Sequence, residues 1–140
     1  SYLRQMIRLI LITTGCLYLT TASSFNFDSL WGIWNDKNQQ DTNRLKAMDE
    51  IIWDGYLYSQ PDSAFYFAQI QYELAESSGN RKQMAAALNT QGVSLNIQSN
   101  YEQALEFHLK ALKTYEEIGD KWEIAYSYNN IGLIYYEQGN

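Results

Sequence analysis

The chain has 140 residues and a mass of 16.3 kDa, enough for one domain and too little for a two-domain enzyme. Apolar residues make up 46% and charged residues 19%, which supplies a core and excludes wholesale disorder. The net charge of −6 argues against the basic face that nucleic acid requires, and a single cysteine with a single histidine excludes an internal disulfide and most zinc sites.

Residues 1–22 read as an export segment. Arg8 stands before the apolar run from Leu9 to Leu19, and Thr20-Thr21-Ala22-Ser23-Ser24 follows with small residues. Positive charge, short apolar run and small residues, in that order, suit a signal peptide. Spanning a bilayer takes roughly 20 apolar residues, so the run is short for a membrane helix; a buried core helix is the alternative. Thr13-Thr14-Gly15-Cys16 resembles the approach to a bacterial lipoprotein cysteine, although Thr13 stands where a larger aliphatic residue is usual. With Arg4 and Arg8 set aside, the rest of the chain carries 8 basic and 16 acidic residues.

Residues 23–41 read as a linker. Phe25, Phe27, Leu30, Trp31, Ile33 and Trp34 are apolar, but Asn35 to Asp41 is polar and unpatterned. A mobile leader is expected, with Trp31 and Trp34 either docked on the first helix or resting at a membrane interface.

Residues 42–140 read as helices in a repeating pattern. A single offset pairs Gly79 with Gly119, Ala85 with Ala125, Asn89 with Asn129 and Gly92 with Gly132. An earlier copy pairs Ala64 with Ala104 and Phe67 with Phe107 at that same offset. Gly79 and Gly119 suit the left-handed position after a helix end. Asn80 with Gln83, Asn100 with Gln103 and Asp120 with Glu123 suit helix caps, and Pro61 suits a first turn. Met84, Leu88, Gly92 and Leu95, then Tyr101, Ala104, Leu105, Leu109, Leu112 and Tyr115, follow helical spacing. The units are 42–79, 80–119 and a truncated 120–140. Five antiparallel helices without a strand are expected, with loops near Gln60, Gly79 and Ser99. Gly92 and Ala104 are expected to meet at one helix crossing. Gly132 is expected to lie open, as in a fragment of a longer array.

These residues resemble the tetratricopeptide repeat family. Leu88, Gln91-Gly92 and Leu95 stand in the first-helix slots, as do Tyr128, Ile131-Gly132 and Tyr135. Ala104, His108 and Ala111 stand in the second-helix slots. The family's common spacing is about 34 residues. With its Ile118-Gly119-Asp120-Lys121 joint, this chain looks like the 40-residue branch found in scaffolds and in bacterial exported sensors. The resemblance implies an all-α fold, an α-solenoid of antiparallel hairpins in a right-handed superhelix. It also implies a concave groove lined by first helices: Ala86, Asn89, Val93, Asn96 and Ile97, then Tyr126, Asn129, Asn130, Leu133, Tyr136 and Glu137. Asn89 and Asn129 would form a solvent-facing ladder for a peptide backbone, or else bond to neighbouring helix ends inside the solenoid.

No catalytic residue, metal site or cofactor is expected. His108 lacks a second histidine or a Glu-x-x-His pattern, and Glu116, Glu117 and Asp120 read as a solvated helix end. The expected function is a protein–protein interaction module, exported, periplasmic or membrane-associated, that holds a peptide or partner protein. The alternative is the sensory region of a bacterial histidine kinase or transcriptional regulator; a passive spacer is the third reading. Nucleic acid is not an expected partner. A membrane would be reached only through the N-terminal segment or a downstream helix.

Overall fold

The computed structural model describes residues 26–139. The export segment and Cys16 lie outside the described residues. Six helices follow one another, with no strand among the described residues: α1 (residues 26–35), α2 (Asp41–Glu50), α3 (Pro61–Ser77), α4 (Arg81–Ile97), α5 (Tyr101–Ile118) and α6 (Lys121–Glu137). A π-helical segment, Ile51–Tyr56, continues α2. Each of the helices α3 to α5 packs on the next.

The turns recur at half the repeat period. Gly79, Ser99, Gly119 and Gly139 all have positive φ, between 60° and 81°. The amide of the following residue reaches back to a carbonyl near the end of the helix just closed: Asn80 to Ala75, Asn100 to Leu95 and Asp120 to Tyr115. This closes each helix in a Schellman-type turn and aims the chain antiparallel. Asn80 Oδ1 then accepts from the Gln83 amide and Asp120 Oδ1 from the Glu123 amide, as the cap pattern predicts. Asn100 differs. Its side-chain amide donates to Gln103 Oε1 at 2.9 Å, and it makes no side-chain cap bond to the backbone.

Small side chains set the packing distance. α3 buries Ala64, Ala68, Gln71 and Ala75 at spacings of four, three and four, one stripe of a helix. α5 buries Ala104, His108, Ala111, Leu112 and Tyr115 in the same manner. α4 lies between them and is buried on both flanks, through Ala85, Ala87, Asn89, Thr90, Gln91, Gly92, Ser94 and Leu95. Gln91 occupies a slot for a large apolar side chain, and its amide donates to Gln69 Oε1 at 3.1 Å.

The crossing of α4 and α5 differs from the expected one. Gly92 faces the His108 ring: a Cβ at Gly92 would lie 2.8 Å from Cε1 and Nε2. Ala104 is buried elsewhere, against Leu95 and Ile134. Gly132, one period on, has nothing within 4 Å of the same point.

The linker is also corrected. Residues 26–35 form a helix, and Leu30 is buried in a cluster with Met48, Ile51, Ile52, Leu57, Ala64 and Ala68. Phe27, Trp31 and Trp34 pack against that cluster. Trp31 meets Phe67 edge-on at 5.4 Å, and Phe27 lies 6.0 Å from Tyr56. Arg44 stacks over Trp34 at 5.2 Å and donates from Nε to the Trp34 carbonyl. The apolar positions lay at helical spacing, but the polar run after them masked the signal. Burial of these large aromatic and aliphatic side chains outweighs that run.

Candidate binding groove

A cleft of about 220 Å³ opens on the side of the stack formed by α2, α4 and α6. Its walls are Asp49 and Trp53 from α2 and its π-helical extension, Ala86, Asn89 and Thr90 from α4, Tyr115 from α5, and Glu123 and Tyr126 from α6. The antiparallel turns bring every second helix to this face, so residues far apart in sequence converge there. Ala86, Asn89 and Tyr126 were expected on it; Asp49, Trp53, Thr90, Tyr115 and Glu123 were not. Glu123 reads in sequence as a cap partner and Tyr115 as core, and both roles are real. No single-helix pattern signals a wall assembled from four helices.

Asn89 is not a solvent-facing residue. It is 4% exposed, and its Oδ1 accepts from His108 Nδ1 at 2.8 Å and from Asn130 Nδ2 at 3.1 Å. The side-chain amide orientation makes Nδ1 the protonated ring nitrogen. His108 is 1% exposed, and burial pushes its pKa down from 6.5 to about 4, so the imidazole is neutral. The expected ladder is therefore broken: Asn89 ties α4 to α5 and α6, while Asn129 is exposed. The register was right, but the α5 and α6 neighbours that enclose Asn89 are invisible from its own helix.

The other expected residues divide. Val93 is half-buried and packs against the α1–α3 cluster, and Asn96 is half-buried with its carbonyl oxygen unpaired. Tyr126 lines the cleft, and Asn130 sits half-buried beside it. Leu133 and Tyr136 are exposed, Tyr136 at 80%.

Two carboxylate residues, Asp49 and Glu123, line the cleft. Burial raises the Asp49 pKa, which the hydrogen bond from Gln71 partly offsets. Burial also raises Tyr115 far above the ordinary phenol range, with Glu123 and Asp49 adding to the effect. Tyr126 is raised by burial as well. Nearby cations are already engaged: Arg81 pairs with Glu117, and Lys82 Nζ meets Asp120 Oδ2 at 2.7 Å. Among the described residues no three His, Cys, Asp or Glu side chains converge to hold a metal ion, and no helix is long and apolar enough to cross a membrane.

An array of antiparallel helix pairs with an open cleft on one face defines an α-helical repeat module. Residues 83–140 match the family model for the tetratricopeptide repeat. Such repeats serve in general as non-catalytic scaffolds for protein–protein interaction. Corresponding helices begin one period apart, at Pro61 and Tyr101 and at Arg81 and Lys121. The crystal structure of BtubC (BKLC) from P. vanneervenii is similar in fold, with a TM-score of 0.67 at 18% identity. The match covers 85% of this chain and 48% of that one, so this chain spans about half its length. No curated protein matches the chain.

Proposed function

We propose that the chain is an exported interaction module that holds a peptide or a segment of a partner protein in the cleft between α2, α4 and α6. One observation carries the reading: the cleft combines half-exposed aromatic area, from Trp53 and Tyr126, with hydrogen-bonding groups from four helices. Tyrosine and tryptophan supply large contact area at low entropic cost, and polar groups around them fix orientation. Export rests on the order Arg8, apolar run and small residues in 1–22. The experiment is site-specific photo-cross-linking in the native host. A benzophenone side chain at Tyr126 captures a partner, and the same group at Tyr66, exposed on α3, does not. Equal capture at both positions, or capture at Tyr66 alone, contradicts the groove.

A further inference from the structure

We propose that α1 is a strap on the groove: Phe27, seated in a notch at Gly55, holds Ile51–Tyr56 in its π-helical form and so keeps Trp53 on the cleft wall. The inference rests on the groove reading above and adds a regulating element to it.

The π-helical segment departs from the rest of the stack. Leu57 donates its amide to the Ile52 carbonyl at 2.8 Å, five residues back, where an α-helix would return to Trp53. This wide turn brings Ile52 and Leu57, both fully buried, into one cluster. Such turns are uncommon and tend to occur at functional sites. The corresponding stretches of α4 and α6 are α-helical throughout, and Leu95 stands in α4 where this unit has Gly55. Among the repeats, the departure is confined to the unit on which α1 packs.

Gly55 is where α1 engages it. A Cβ there would lie 2.5 Å from Cε2 and Cζ of Phe27, so the ring fills the space of the missing side chain. Trp31, edge-on at 6.4 Å, and Tyr56, at 6.0 Å, flank that ring and hold it in the notch.

Trp53 links the notch to the groove. It packs against the α1–α3 cluster and also lines the cleft. Return to α spacing takes one residue of slack out of the turn and moves side chains around the helix axis by up to roughly 100°. Leu57 would then leave the face it shares with Ile52, and Trp53 would turn relative to Asp49. With the ring withdrawn, the contact that offsets the intrinsic preference for α spacing is gone. A binding event or pull at the N-terminal end of α1 therefore reaches the cleft through Phe27.

The test is a nuclear magnetic resonance measurement on the full ²H,¹³C,¹⁵N-labelled chain. Coupling through the hydrogen bond identifies the carbonyl that accepts from the Leu57 amide. In the unaltered chain it should be Ile52; in Phe27→Ala and in Gly55→Ala it should become Trp53. Alanine favours a helix over glycine, so a change in Gly55→Ala reports the notch and not melting. Ile33→Ala, which thins α1 away from the notch, should keep the coupling to Ile52. Coupling to Ile52 retained in both notch variants, coupling to neither carbonyl, or loss of the Ile52 coupling in Ile33→Ala overturns the proposal. Benzophenone capture of the native partner at Tyr126 should also fall severalfold in Phe27→Ala. Undiminished capture overturns the strap and leaves the groove reading standing. Absence of capture in the unaltered chain overturns the groove reading, while the coupling still decides whether Phe27 holds the π-helix.

Discussion

His108 Nδ1 donates to Asn89 Oδ1 across 2.8 Å in the interior of the helix stack, and the same oxygen accepts from Asn130. Three helices are thereby joined at one buried amide. Removing Asn89 takes away the acceptor of a buried imidazole N–H. Asn89→Ala is therefore expected to lower stability by about 1–3 kcal/mol. Asn129→Ala, at an exposed position one period on, is expected to change it by less than about 0.5 kcal/mol. Urea denaturation of the two variants checks the contrast, and equal effects would contradict the assigned bond.

The histidine sets a pH dependence. Its folded pKa of about 4 lies below the unfolded value, so the unfolded chain takes up the proton first. Stability from this group is complete above about pH 6.5 and falls as pH drops toward 4, by up to about 3 kcal/mol. Asp49 acts in the opposite sense. Burial holds its pKa above the unfolded value, so protonation on acidification favours the fold. As the chain has one histidine, its ring proton resonance reports His108 alone. A midpoint near 4 is expected, and one near 6.5 would show an exposed ring.

Gly92 and Gly132 are equivalent in register and opposite in surroundings. A methyl group at Gly92 would meet the His108 ring, which is held by Asn89 and cannot swing away freely. Gly92→Ala is expected to destabilise by about 1–3 kcal/mol through overpacking. Gly132→Ala enters open space on a helix and is expected to stabilise by about 0.5–1 kcal/mol. Thermal melts of the two variants should move in opposite directions.

Ser99 has φ of 60° in the turn where the neighbouring turns use Gly79 and Gly119. The left-handed region costs a side-chain-bearing residue about 1–2 kcal/mol, of which glycine's greater unfolded entropy takes back part. Ser99→Gly is expected to raise stability by about 0.5–1 kcal/mol. A lowered denaturation midpoint would mean that the serine side chain contributes something that its backbone angle does not show.

The sequence determined by itself the repeat helices from Pro61 onward and their period. Gly79, Gly119 and the caps at Asn80 and Asp120 are local signals, because a helix end is closed by residues close to it in the chain. Spacing of small and apolar residues likewise reports one helix face at a time, which is why the stripes of α3 and α5 could be read. Only the tertiary structure decided what those faces meet. Asn89 and Asn129 are the same letter in the same register, yet one is enclosed by His108 and Asn130 and the other is exposed. Phe27, Leu30 and Trp31 became part of a core because α2, its π-helical extension and α3 stand opposite them. Asp49, Tyr115 and Glu123 share a cleft although they belong to three different helices, the first of them far from the other two in the chain. Burial and charge depend on neighbours brought by other helices, and a side chain's own segment does not contain them.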